Sequence, residues 1–443
     1  MKKLYFVLGY GDDKNAFLSL QENVLSLKNI FKRRSKKVDY LHRIINEINS
    51  LLQQKDCIYI DDYRLIENNH YLINTKLKED NQDISIEAIC FLNDKFAKCK
   101  SAYPTIYDSF DDVKIKSNGM EYLQDLLISP FQGYSFYLKN KKVLVNECNG
   151  YADYGTLAMI NEKSKFRLAS VTKQFIAYGI VKLIDDGKLT YDTKLFDIFN
   201  DLPLWTKNIT VKMILNHTSG LPDYESAFPT DKQINDYDVL DFIRESEKGI
   251  FIPGSRYKYS NTGYVILGLI LEKVAYLRLG LYMKENVFDK VKMNDSLINY
   301  QGETEIANRV YGYKIINNQM IKSDQSYASA LIGDGGVYSN IVDLKKWIKY
   351  LRKNSSELDK MISNRVNIGD GIEYGYGMKV KKVIYDGKEM TLCYHRGSTI
   401  GTNTLLGFIR EIDFEFIFLT NQNGINTDTL ANKILDKFFT KNE

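Results

Sequence analysis

Segments with strand patterning stand at both ends of one long stretch of this chain, and that arrangement narrows what it can fold into. "YSFYLKNKKVLVNE", residues 134 to 147, alternates around Asn140-Lys141 as a β-hairpin does. Far along the chain, "MTLCYH", "TNTLLGFI" and "DFEFIFLTN" read as successive antiparallel strands, the last with Phe414, Phe416 and Phe418 at period two. Helical patterning fills the middle, and a closing helix is expected from about Thr427 to Phe439. Two early strands and three late ones predict a single sheet assembled from both ends of one domain, with helices packed against it. The fold class is α+β.

At 443 residues the chain is too long for one average domain. The polar stretch "DSFDDVKIKSNG", residues 108 to 119, marks the expected boundary, giving units 1–115 and 116–443. In the first unit a strand, "KLYFV", ends in a glycine turn. Residues 14 to 55 carry two helical stripes, and "CIYIDDYRLI" and "ISIEAICFL" read as strands. That is a small α/β unit with no catalytic constellation. Its basic run "FKRRSKK", residues 31 to 37, reads as a solvated helix end.

Composition excludes several functions. A net charge of +4 makes no case for nucleic acid or a membrane surface as partner. Five cysteines (Cys57, Cys90, Cys99, Cys148, Cys393) are scattered without C-x-x-C spacing, which fits free thiols in a reducing compartment. The four histidines (His42, His70, His217, His395) lie far apart in sequence, so no metal cluster is expected. The N-terminal apolar run is too short for a signal peptide, and no stretch reaches the ~18 apolar residues of a membrane span. A cytoplasmic location is the expectation.

Chemistry enters at "FRLASVTKQF", residues 166 to 175, where Ser170 and Lys173 sit at the start of a strongly helical segment that Gly187 is placed to cap. Residues i and i+3 share one helix face, so hydroxyl and amine come within reach of each other. The helix N-terminus favours a developing alkoxide and disfavours a protonated amine. A serine hydroxyl needs such a neighbouring base to act as a nucleophile. Alone, Ser-x-x-Lys occurs by chance in many helices and reads as two residues on a solvated face. A second piece, Tyr259-Ser260-Asn261, lies on the turn entering a buried helix, with Ser260 or Asn261 as N-cap. Tyr259 is a base if a lysine lowers its pKa, and Asn261 can hold a substrate amide or the lysine itself. The third piece is "YHRGSTIG", residues 394 to 401, at a strand end. His395 offers a donor or weak acid there, and Gly397 leaves room for a ligand's backbone. The Ser398 and Ser170 amides form a candidate oxyanion hole.

With these three pieces in this order, residues 119 to 440 resemble the serine β-lactamase and penicillin-binding-protein-like hydrolases, closest to the class C β-lactamase, D-aminopeptidase and esterase branch. "GYADYG" (150–155), "ITVKMILNHTSGLPDY" (209–224), Pro253 to Val274 and "GDGGVYSNIVDLKKWI" (333–348) look like further family blocks. The resemblance implies an antiparallel sheet flanked by helices plus a helical subdomain. It implies Ser170 as nucleophile, Lys173 as its activator, Tyr259 as general base and leaving-group acid, and Asn261 as carbonyl or lysine holder. His217 matches a structural loop. His395 stands where classical β-lactamases carry the lysine of Lys-Thr-Gly, which moves the expectation from β-lactams toward esters and peptides. "VAYLRLG", residues 274 to 280, replaces a helix-ending Ser-Gly pair, and only a local change is expected there. The expected reaction is hydrolysis of a small ester or peptide amide through a Ser170 acyl-enzyme, with no cofactor. The alternatives are a β-lactamase or DD-peptidase and an inactive binding protein that keeps the fold. Oligomeric state is not legible.

Overall fold

In this computed structural model, residues 132–423 are described, except 230, 304, 317, 318 and 386, together with four strands nearer the N-terminus. The contacts gather into two units, Met1–Phe131 with Gly155–Ala158, and Gln132–Tyr154 with Met159–Glu443. In the first unit the strand Lys3–Leu8 runs parallel to Gln82–Phe91, which pairs antiparallel with His70–Glu79 and that in turn with Ile60–Glu67. Three of these were legible as alternating runs. His70–Glu79, broken by Asn and Lys, was not. The helices expected across 14–55 and at 427–439 lie outside the described residues.

The second unit is built on one eight-stranded sheet. Its order is Val366–Gly369, Ile372–Tyr374, Lys379–Tyr385, Lys388–Thr399, Thr402–Ile409, Phe414–Thr420, Gly133–Lys139 and Lys142–Asn149. Every pairing along it is antiparallel. The hairpin closes at Asn140 and Lys141, whose φ values of 50° and 65° are those of a type I′ turn. The two ends of the domain join where Phe416 lies opposite Tyr137 and Phe418 opposite Ser135. All seven residues of Phe414–Thr420 are buried, so both faces of this strand are covered.

The helix Thr172–Asp185 is buried almost throughout. It ends in a Schellman motif, with Lys188 N–H bonded to the Leu183 carbonyl at 2.9 Å and Gly187 at φ 71°. Trp347, on the helix Ile341–Lys353, packs on Phe175 at 4.8 Å and donates its indole N–H to Gln174 at 2.9 Å. The helix Asn261–Ala275 starts at Ser260, whose hydroxyl accepts from Gly263 N–H at 3.0 Å. It stops at Tyr276, a non-glycine residue in the left-handed region at φ 54°. The departure in "VAYLRLG" is therefore a change of cap only. Among the described residues no helix is long and apolar enough to cross a membrane.

Candidate active site

Ser170 stands at a junction the chain builds tightly. The two-residue strand Phe166–Arg167 pairs with Val337–Ser339, and the chain then turns through Ala169–Val171 into the helix Thr172–Asp185. Ala169, just before the serine, takes φ 48°, a conformation that strains a residue bearing a Cβ. Its surroundings hold it there. Leu168 N–H bonds to the Val337 carbonyl at 2.8 Å, and Thr404 donates its hydroxyl to the Leu168 carbonyl at 2.8 Å. A Cβ on Gly397 would lie 2.2 Å from that same carbonyl oxygen. Gly397 is thus needed for the close approach of the protein's own backbone, where the sequence suggested a ligand's.

Lys173 lies one turn further and is fully buried. Its Nζ is 3.0 Å from Ser170 Oγ, 2.8 Å from Asn261 Oδ1 and 2.9 Å from the Asp334 carbonyl oxygen. Burial lowers its pKa to about 8, with Asp334, Glu225 and Asp223 opposing the fall. The geometry then sets the direction of proton transfer. A neutral amine has two N–H groups, and the two carbonyl oxygens take them. Its lone pair is left facing Ser170 Oγ.

Tyr259 forms a hydrogen bond with Ser170 from the other side. Burial drives its pKa up, although the Ser170 bond and the charge of Arg396 oppose this. In the resting site the phenol therefore keeps its proton, and the group poised near neutrality is Lys173. The ring is held by His217, 4.3 Å away, whose Nδ1 accepts from Ser260 N–H at 3.1 Å. His217 is buried and its Nε2 has no hydrogen-bond partner. Burial, with Lys173 and His395 nearby, holds its pKa well below the ordinary histidine value. It is a neutral support, as its position in the loop suggested.

His395 is also buried. Its Nδ1 lies 2.6 Å from the Arg396 carbonyl, which only accepts, so Nδ1 carries the proton. Its Nε2 then accepts from the Tyr374 hydroxyl at 3.0 Å. Burial, then the charge of Lys173, push its pKa down to about 3. Both nitrogens are engaged and the ring is neutral, so it braces Tyr374 rather than offering a weak acid to a ligand. Beyond it, pairing with Lys379–Tyr385 ends at Tyr394, while pairing with Thr402–Ile409 runs on to Thr399. Ser398 is exposed there.

Ser170, Lys173, Asn261 and Tyr259 thus meet in one place, with His395, Gly397 and Ser398 on the adjoining strand. Sequence reasoning passed over three contributors. Asp334 gives Lys173 its backbone carbonyl, while its carboxylate accepts from the Tyr224 hydroxyl at 2.9 Å. Glu225 accepts from Asn261 Nδ2 at 2.7 Å, which orients Oδ1 toward the lysine. Tyr374 is the partner of His395. The available signal was position alone, since Asp334 is the second residue of the quoted "GDGG" block and Glu225 directly follows "LPDY". Among the described residues no group of three or more His, Cys, Asp or Glu side chains could hold a metal.

A β-lactamase family model matches residues 134–439. The chain belongs to the β-lactamase family and is a serine hydrolase of that family. A penicillin-binding protein of Bacillus subtilis (strain 168) is 28% identical over 336 residues, covering 70% of this chain and 73% of that protein. The crystal structure of a penicillin-binding protein from Bacillus halodurans superposes with a TM-score of 0.62 at 24% identity, covering 73% of this chain and 100% of that one. A D-amino acid amidase from Ochrobactrum anthropi SV3, complexed with D-phenylalanine, gives a TM-score of 0.60 at 22% identity, covering 72% and 100%.

Proposed function

We propose that this hydrolase cleaves a small ester or peptide amide through an acyl-enzyme on Ser170. The observation that carries this reading is the Lys173 amine, held by two carbonyl oxygens with its third position 3.0 Å from Ser170 Oγ. As Ser170 Oγ attacks the substrate carbonyl carbon, its proton passes to Lys173 Nζ. The carbonyl oxygen becomes an oxyanion held by the Ser170 and Ser398 amides. Tyr259 donates its proton to the leaving group as the C–N or C–O bond breaks, and the Lys173 ammonium restores it. Water then releases the acyl group by the reverse proton route. Tyr259 acts here first as an acid, unlike the initial base expected from sequence, because burial keeps the phenol protonated.

Neutral His395 argues against a β-lactam as the preferred substrate, because it offers no fixed charge for the drug's carboxylate. Likeness to the D-amino acid amidase makes amides of D-residues sensible first candidates to test. A cytoplasmic setting agrees with the free thiols Cys148 and Cys393. We assign residues 1–115 to a separate domain that tunes access to the site; its removal should change rates on large substrates more than on small ones.

Intact mass after a fluorophosphonate probe, on wild type and Ser170→Ala, tests the chemistry. One adduct that vanishes in the variant is expected. A folded wild type that takes no adduct sinks the proposal and leaves a binding protein with a relic site. Turnover of a chromogenic cephalosporin faster than of esters and D-amides would instead make it a β-lactamase.

A further inference from the structure

Asp236 does nothing in the chemistry above, yet it is a buried carboxylate on the first turn of the helix Asp236–Glu245. That helix does not need it as a cap. Asn235 already accepts from the Tyr237 and Asp238 amides, and Asp238 completes the capping box. Burial pushes the Asp236 carboxyl up to about 7, so keeping an ionised group here is unfavourable. What it holds is a turn in a distant part of the chain. One carboxylate oxygen accepts from Ile332 N–H and the other from Gly333 N–H, both at 3.0 Å. The next residue is Asp334, whose carbonyl oxygen receives the Lys173 N–H.

The turn has no slack on its other sides. A Cβ at Gly333 would lie 2.6 Å from the Tyr264 carbonyl oxygen of the helix Asn261–Ala275. A Cβ at Gly268 of the same helix would lie 3.1 Å from Gly333 Cα. The Asp334 carboxylate is tied to Tyr224, and the Gly335 carbonyl accepts from Arg167 at 3.2 Å. Asp236 clamps the turn at the step directly before the carbonyl that orients the catalytic amine.

We propose that Asp236 is a positioning residue for acyl transfer, acting through the Ile332–Gly333 amides and the Asp334 carbonyl to aim the Lys173 lone pair at Ser170. This rests on the Ser170 acyl-enzyme reading. Asp236→Asn keeps the shape but sets an N–H donor against one of the two amides, so the turn loosens.

The experiment is the rate of Ser170 acylation by the fluorophosphonate probe, and kcat and KM on an ester it turns over, across pH, with thermal unfolding as the check on folding. For Asp236→Asn the acylation rate and kcat should fall about tenfold or more, with KM unchanged, the effect expected of a misaimed base. The pH at which acylation rises should also move below the wild-type value, because the Lys173 ammonium loses an acceptor that favours it. Gly268→Ala presses on Gly333 from the helix Asn261–Ala275 and should slow acylation about threefold to tenfold; it carries the test if Asp236→Asn does not fold. A folded Asp236→Asn with unchanged acylation overturns the proposal, and so does a slowed variant whose pH limb stays in place, since its effect would then bypass Lys173. Wild type that takes no adduct would overturn the acyl-enzyme reading first.

Discussion

Lys173 and His395 are both buried bases, close enough for the lysine's charge to reach the histidine, and they end in opposite states. Burial lowers the pKa of each. Lys173 stops at about 8 because the charges of Asp334, Glu225 and Asp223 oppose the effect of burial, while Asn261 and the Asp334 carbonyl fix where its nitrogen points. His395 falls to about 3, since it faces the Tyr374 hydroxyl and aromatic rings and lies close enough to the lysine to feel its charge. The lesson is that burial alone does not decide which base is used. The charges around it do, and here they leave one proton acceptor in a usable range and silence the other.

The strongest way to break this contrast is to remove the amine. Lys173→Met should lower Ser170 acylation by about a thousandfold or more, while Tm is held or raised because a buried amine is lost. A smaller loss in a folded variant would mean that Tyr259 accepts the proton instead. Removing one acceptor tests the shell. Asn261→Ala should slow acylation about tenfold to a hundredfold, read from the time course of the mass adduct. Glu225→Gln, which still lets Asn261 Nδ2 donate, should cost far less.

The pH profile sharpens the comparison without a mutation. Acylation should rise with pH around 8 as Lys173 loses its proton, and no limb near 6.5 should come from the histidines. His395→Ala should leave acylation within about tenfold of wild type but destabilise the fold by about 2 kcal/mol, because the buried Tyr374 hydroxyl loses its acceptor. The linkage sign is fixed by a depressed folded pKa in a base. Unfolded His395 takes a proton below about 6.5, the folded ring does not until about 3, so its share of stability is lost as pH falls through that window. Wild type should therefore lose its advantage over His395→Ala on acidification, measured by denaturant melts at several pH values. The smallest effect is far from both bases. Tyr276→Gly relieves the left-handed helix cap and should stabilise by about 1 kcal/mol with kinetics unchanged.

The legible parts of the site were those whose geometry is local. Ser170 and Lys173 are three residues apart across the turn Ala169–Val171 and the start of the helix Thr172–Asp185, so their meeting follows from local geometry. The hairpin at Asn140-Lys141 and the glycine cap at Gly187 were legible for the same reason. Ser260, already a candidate, proved to be the N-cap. Asn261 could be read as a lysine holder or a substrate holder, and only the fold brings its Oδ1 to Lys173 across 88 positions. The Asp334 contribution was not readable in principle, because a backbone carbonyl has no residue signature. Gly397 was singled out for a reason that changed, since the nearest backbone turned out to be Leu168 of the same chain.

Sequence by itself determined the elements and the reactive pair, because alternation, helical spacing and turn residues act over a few positions. It also pointed to Ser170, Lys173, Tyr259 and Asn261 through short motifs in order, but not to Asp334, Glu225 or Tyr374. Tertiary structure decided the protonation states. Those depend on which oxygens, rings and charges converge on a buried nitrogen from strands and helices far apart in the chain, and that convergence exists only once the two ends of the domain have paired in one sheet.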